Sequence, residues 1–293
     1  MSSYIYVPAY LTQAVTPAYT YPFDIQNGSA GFSTSLLRSA YAGACLRIRR
    51  SSDNASQDIG FSGTDIDTAS LLSFCGAGNG FVTTWYDQSG NGKDAIQASL
   101  GNQPQLVASG AVLATMNSVP ALTFDGTNFS FGATSFVLSD AITASEGTAF
   151  TVFNPTSVTS NSATVYLNHC LWGQSNDDYA GHFLRLGPLL EAFSYEPPTA
   201  KASQSITIST NTIGVWRHTG GNLLTYATSS TPGATTASGN TQNLTFPMGI
   251  GFGQGTARYN GLMAAVLFYK ASTTTNFTAI GQALAAHYGL TWT

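Results

Sequence analysis

The chain has 293 residues, of which only 8% are charged, with a formal net charge of −4. Ordinary soluble proteins carry roughly 25% charged residues, and a weakly acidic chain lacks the basic patch needed to displace counterions from phosphate, so nucleic-acid binding is excluded. The abundance of Gly, Ser, Thr and Asn belongs to a protein of strands and turns, and this length fits one all-β domain.

Residues 1–25 are rich in Tyr and Pro (VPAY, TPAY, TYPF). Proline removes amide donors and biases its neighbour to extended geometry, so an N-terminal arm is expected, followed by a single domain over 26–293. The arm either covers the domain's own edge or docks on a partner. No basic segment precedes an apolar one at the N-terminus, and no run of about 18 apolar residues occurs, which predicts neither signal peptide nor membrane span. Cys45, Cys75 and Cys170 are an odd set without CxxC spacing, which predicts no disulfide framework and no zinc site. Synthesis in a reducing cytoplasm fits.

GFSTSLLRSA and YAGACLRIRR lead into the first expected strand. Four of the ten Lys and Arg residues cluster there, as Arg38, Arg47, Arg49 and Arg50. Arg47 and Arg49 alternate with Leu46 and Ile48, the pattern of a strand's polar face. DIDTASLLSFCGAG predicts a short helix near 67–75, capped by Asp65 or Asp67, with Leu71, Leu72 and Phe74 inward and Gly76 as the stop.

From Phe81 onward, short apolar or alternating runs bounded by turn residues dominate: FVTTWYD, ALTFDG, TAFTVF, ATVYLNHCLWG, HFLRLG, SITIST, TIGVWRH, LLTYAT, MGIGFG and LMAAVLFY. They predict an all-β fold of two packed antiparallel sheets of the jelly-roll kind. SSTPGATTASGNTQN, residues 229–243, reads as a low-complexity surface loop. FTAIGQALAAHYGL then changes period and predicts a C-terminal helix near 276–288, with Phe277, Ile280, Leu284 and Tyr288 on one face and Gly289 as its stop.

WYDQSGNGKDA is the most chemical-looking segment. A phosphate loop needs GxxxxGK[ST], yet Asp87 stands five before Gly92 and Asp94 follows Lys93. Asp87, Ser89, Asn91 and Gly92 fit positions one, three, five and six of a calcium loop, but Ala98 replaces the bidentate Glu, so calcium would need ligands from elsewhere. The remaining reading is a structural turn: Asp87 accepts from backbone amides just ahead, Ser89 and Asn91 assist, and Gly90 and Gly92 supply positive φ. GAGNG follows a helix and precedes a strand, the reverse of a dinucleotide-binding turn. No metal or cofactor site is expected, and no GxSxG or HExxH motif occurs.

In order, RSAYAGACLRIRRSSDN, SFCGAGNGFVTTWYDQSGNG, the GH of AGHFLRLG and the GIG of MGIGFGQG resemble the catalytic domain of fungal family-54 α-L-arabinofuranosidases. PALTFDG, VWRHTGG and YNGLMAAVLFYKAS with IGQALAAHYGL resemble laminin-G-like, concanavalin A-like domains of bacterial and phage proteins. Both resemblances imply a concanavalin A-like jelly-roll β-sandwich. The first implies a retaining glycosidase, with its nucleophile two residues after the GH and its acid just after the GIG. Those positions hold Leu184 and Gly253, and no Asp or Glu follows Glu196. Gly80 occupies the place of the family's disulfide partner to Cys75.

The resulting expectation is a catalytically inactive relative serving as a structural component of a phage virion, such as a tail fibre, head fibre or capsid decoration. It would be made in the host cytoplasm, attached to other virion proteins through the N-terminal arm, and assembled as a homo-oligomer. A host-surface glycan stacked on Trp172, Tyr179, His182 and Tyr195 is the expected binding role. The alternative is a glycoside hydrolase of arabinofuranosidase type using other carboxylates: Asp177, Asp178 or Glu191.

Overall fold

The computed structural model describes residues 19–131, 146–158, 169–174, 180–185, 189–194, 200–219, 221–233, 236–237, 248–252, 258–270 and 276–293. Within them the chain forms a two-sheet β-sandwich. The larger sheet has thirteen strands. Its main path runs from Thr236–Ala237 through Asn222–Ala227, Thr212–Thr219, Gly147–Pro155, Asn260–Tyr269, Leu122–Asp125, Gln105–Ala108, Gly80–Trp85 and Leu46–Arg50 to Ser56–Ile59. The smaller has five strands, ordered Ala200–Ser205, Leu189–Ser194, Ala180–Arg185, His169–Gln174 and Met248–Ile250. Strands in both sheets pair antiparallel among the described residues, and Leu189–Ser194 and Ala200–Ser205 pack over Asn222–Ala227.

The strand Asn260–Tyr269 organises the larger sheet. One edge pairs with Gly147–Pro155; the other pairs with Leu122–Asp125 along its first half and Ala30–Ser33 along its second. Side-chain alternation then divides the core in two. Phe268, Val266, Trp216 and Phe153 face the five-stranded sheet, while Leu267, Tyr269, Phe150, Val152, Ile213 and Val215 face the C-terminal helix. A register shift between Val152 and Phe153 re-aims the strand where the two cores meet.

That helix, Phe277–His287, buries Phe277, Ile280 and Leu284, with Tyr288 buried just beyond it. Each large apolar side chain so buried contributes about 1.5–3 kcal/mol. Gly289, at φ 65°, ends it. The short helix is Thr68–Cys75, capped by Asp67, whose carboxylate accepts the Ser70 amide at 3.0 Å. Its Leu71 and Cys75 are buried, whereas Leu72 and Phe74 are half-buried at its flank.

Four local expectations need correction. Ala30–Ser33 is already a strand, buried on both faces and so without the alternation that marks one in sequence. Leu189–Ser194 is another strand not apparent from the pattern. SITIST is not a strand: the strand ends at Ser205, and the chain turns through Ser209 at φ 59°. Arg49 does not share the solvent face with Arg47. It is buried, donates to Gln103 Oε1 at 2.7 Å and Asn54 Oδ1 at 2.8 Å, and lies over the Phe81 ring at 4.9 Å. Arg47 instead forms an exposed bidentate pair with Asp58.

Residues 1–18 of the expected arm lie outside the described residues. From Tyr19 on, the segment is not simply extended, since Pro22–Ile25 is a short helix begun by the proline, and it covers its own domain: the Tyr19 ring sits 4.3 Å from that of His287, and Phe23 is buried edge-on to Tyr269. The expected loop 229–243 includes Thr236–Ala237, which pairs with Asn222 and Leu223.

Candidate functional site

The Asp87 turn is a clamp. Asp87 Oδ1 accepts from the amides of Gly31 and Ser89, both at 2.9 Å. Its Oδ2 accepts from Ser89 Oγ at 2.7 Å and the Lys93 amide at 3.1 Å. Asn91 Nδ2 donates to Ser29 O at 2.8 Å, and Gly90 and Gly92 take φ of 89° and 67°. A carboxylate has about four lone-pair sites, and four donors fill them. A calcium ion would have to displace those donors, so the geometry favours the structural turn. This turn fastens the larger sheet's hairpin to Ala30–Ser33.

One Ser, His and Asp do meet, far apart in sequence. Ser35 Oγ lies 2.6 Å from Asp65 Oδ1 and 2.8 Å from His287 Nε2, and His287 Nε2 lies 2.9 Å from Asp65 Oδ1. A catalytic triad places serine and aspartate on opposite ring nitrogens. Here both meet Nε2, so no proton path leads from the hydroxyl through the ring to the carboxylate. The cluster ties the start of the chain to the C-terminal helix. Burial raises the Asp65 pKa, but the hydrogen bonds from His287 and Ser35 and the charge of His287 outweigh it, leaving the carboxyl below its ordinary value.

The five-stranded sheet holds Trp172 and His182, two of the four residues expected to meet a sugar. Trp172 is fully buried, edge-on to Trp216 at 5.6 Å and Phe268 at 5.0 Å. His182 is also fully buried, 3.2 Å from Thr225 Oγ1 across the sandwich, and burial pushes its pKa down to about 3. A Cβ at Gly214 would come within 3.0 Å of His182 Cε1, so that glycine makes room for the ring. These two residues are therefore core, not a glycan platform. A tryptophan beside turn residues reads the same in sequence whether it faces core or solvent, which is why the pattern misplaced it. Tyr179, Tyr195, Asp177, Asp178 and Gly253 lie outside the described residues.

Leu184 faces the same way as His182, with no exposed surface. Alternation along the strand puts both positions toward the inter-sheet core. A carboxylate there would meet apolar packing, which leucine suits. Glu191 is different. It stands between Leu190 and Ala192, which face the core, and so occupies the sheet's other face, in register with Phe183 and Ser203. Only 3% of it is exposed. Buried carboxylates are costly unless hydrogen-bonded, and they cluster at functional sites.

Comparison with known proteins identifies what this arrangement is similar to. Residues 26–134 match the model for the catalytic domain of α-L-arabinofuranosidase B. A probable α-L-arabinofuranosidase B of Aspergillus flavus is 39% identical over 75 residues, which are 25% of this chain and 15% of that protein. A mutant family-54 α-L-arabinofuranosidase soaked with 4-nitrophenyl α-L-arabinofuranoside superposes with a TM-score of 0.71 at 15% identity, over 91% of this chain and 65% of the other. An arabinofuranosidase complexed with arabinofuranosyl-α-1,2-xylobiose gives 0.64 at 18% identity, over 91% and 65%. The chain thus has the fold of those enzymes and spans about two thirds of the solved chains and a small part of the curated relative.

These matches overturn the expectation of a non-enzymatic phage virion component. They point to glycoside hydrolases, the reading held as the alternative, and they do not support an inactive relative. The expectation of inactivity rested on the family positions at Leu184, which faces the core, and Gly253, which lies outside the described residues, and on the lack of any Asp or Glu after Glu196. The matched segment 26–134 carries the Asp87 clamp and ends before Glu191.

Proposed function

We propose that this protein is a glycoside hydrolase acting on α-L-arabinofuranosides, with Glu191 as one of its two carboxylates. The observation that supports this is a nearly enclosed glutamate on the non-core face of the five-stranded sheet, in a chain with the α-L-arabinofuranosidase fold. No Asp or Glu follows Glu196, so the second carboxylate comes from the preceding part of the chain. Asp177 and Asp178 fall between the neighbouring strands His169–Gln174 and Ala180–Arg185 in sequence and are its sources.

In this mechanism one carboxylic acid protonates the leaving glycosidic oxygen. The other carboxylate attacks the anomeric carbon when the pair stands about 5 Å apart, or activates a water when it stands about 6.5–9.5 Å apart. Arabinose release from arabinofuranosyl-α-1,2-xylobiose, followed by NMR to read the product anomer, tests this. Glu191→Gln should lower kcat by about 1,000-fold or more with a smaller change in KM. Full activity in that variant removes Glu191 from the mechanism.

A further inference from the structure

A hydroxyl-lined cleft of about 290 Å³ opens at one end of the sandwich. It lies where the strand Ala200–Ser205 ends, Thr212–Thr219 begins, Asn222–Ala227 ends and the tail beyond the C-terminal helix passes. Its size is close to the lower bound of the range of about 300–1,000 Å³ typical of small-molecule sites.

The walls are held by hydrogen bonds that leave the lining groups capacity to spare. The Ser209 amide donates to Pro155 O at 2.7 Å, which pins the loop between Ser205 and Thr212. The Thr228 amide donates to Ile213 O at 2.8 Å and the Leu290 amide to Ala285 O at 2.7 Å, fixing the other two walls. Asn211 Oδ1 accepts from Asn154 Nδ2 at 2.8 Å, which orients the carboxamide and leaves its own Nδ2 to donate. Thr228 Oγ1 accepts from the Ile213 amide at 3.0 Å and keeps its proton to give. The hydroxyls of Ser205, Thr207 and Thr291 stand on exposed residues and bond to no other described residue.

The lining is selective. Ile206, Ala227 and Leu290 supply an apolar patch beside these polar groups, and none of the described lining residues is charged. Hydroxyls that both donate and accept, a carboxamide donor and an apolar patch match a neutral sugar, whose hydroxyls surround an apolar C–H face. An ion would lose water here without gaining a counter-charge.

Strand register joins the cleft to Glu191. Glu191 pairs with Ser203, and Ser205 stands two residues further along on the same face. Diagonal neighbours of this kind are about 7–8 Å apart, so a glycan seated in the cleft starts beside the glutamate.

We propose that this cleft binds a neutral sugar of the glycan whose arabinofuranosyl bond meets Glu191. Asn211 Nδ2 and the hydroxyls of Ser205, Thr207, Thr228 and Thr291 are its polar contacts, with Ile206 and Leu290 against the sugar ring. The link to Glu191 rests on the hydrolase reading; the preference for a neutral, polyhydroxylated ligand stands on the lining alone.

Calorimetric titration of the full chain with xylobiose, which carries no arabinofuranosyl group, tests the site apart from catalysis. Binding is expected, indifferent to salt because no charge takes part. Thr207→Val combined with Thr291→Val should weaken it about tenfold, since two hydrogen bonds are lost while side-chain shape is kept. Glu191→Gln should bind xylobiose as the parent does, so the two readings fail separately. Xylobiose binding without arabinose release would uphold the cleft and overturn the role of Glu191. No xylobiose binding, with or without arabinose release, binding indifferent to the paired threonine substitution, or binding that falls steeply with salt would each overturn the cleft. Both threonines are exposed, so the paired variant should match the parent in thermal midpoint.

Discussion

Asp87 Oδ1 accepts the Gly31 amide at 2.9 Å, joining the hairpin turn to a strand 56 residues earlier. The same carboxylate holds three other donors while only 5% exposed. Asp87→Ala leaves the four without their acceptor, and each buried unsatisfied donor costs about 1–3 kcal/mol. With partial rescue by water, a loss of about 3 kcal/mol or more in urea denaturation is expected. Asp87→Asn, which keeps one acceptor oxygen, should lose less. A loss below about 1 kcal/mol for alanine would show that the clamp is ornamental.

Gly80 stands where a Cβ would be 2.7 Å from Cys75 Sγ. Cys75 is a free thiol in this protein, raised above its ordinary pKa by burial. The geometry is close to what a disulfide needs, and Gly80→Cys should oxidise to a 75–80 bridge. Closing so short a loop stabilises by about 2 kcal/mol before strain. Mass spectrometry of the alkylated protein reads the bond, and the difference in stability with and without reductant reads its worth. Val107 Cβ at 3.1 Å from the new Cβ must give way slightly, which would reduce the gain.

His182 is neutral in the fold because burial pushes its pKa down to about 3, whereas the unfolded chain takes up a proton near pH 6.5, at about the ordinary histidine pKa. Below that point the unfolded state holds more protons, so stability falls as pH falls. The slope from this one residue is about 1.4 kcal/mol per pH unit. His218, lowered by burial and only partly restored by Glu146, acts in the same direction. Unfolding measured from about pH 6 to about pH 4 should show this slope, and His182→Leu should flatten it. An unchanged slope in that variant would mean the ring is protonated in the fold.

Asp65 is a carboxyl held below its ordinary pKa, so its linkage has the same sign as that of His182: stability falls as pH falls. Its contribution is present above the ordinary carboxylate pKa and is lost as pH drops through the lowered value. Asp65→Asn should therefore weaken the fold at neutral pH and reduce the further loss on acidification below about pH 4. A parallel pair of stability curves would contradict the ion pair with His287.

Much of the sandwich could be read in the sequence because its strands are short, half-buried and separated by glycine and asparagine turns. The helices Thr68–Cys75 and Phe277–His287 and the Asp87 turn were legible for the same local reasons, whereas the short helix Pro22–Ile25 was not. Ala30–Ser33 was not, since a strand buried on both faces shows no alternation. The facing of Trp172, His182 and Leu184 was hidden too, because only packing decides which side of a strand is core. Lys93 and Lys270 line one cleft, a proximity that no spacing rule reports. Glu191 sits in LLEAFS, which lacks the polar alternation that would have marked a face.

Release of 4-nitrophenol from 4-nitrophenyl α-L-arabinofuranoside, by the parent protein and by Glu191→Gln, tests the central claim most directly. The account predicts sustained turnover by the parent and a fall of about 1,000-fold or more in the variant with its fold intact. No turnover by the parent, or equal turnover by the two, would contradict it.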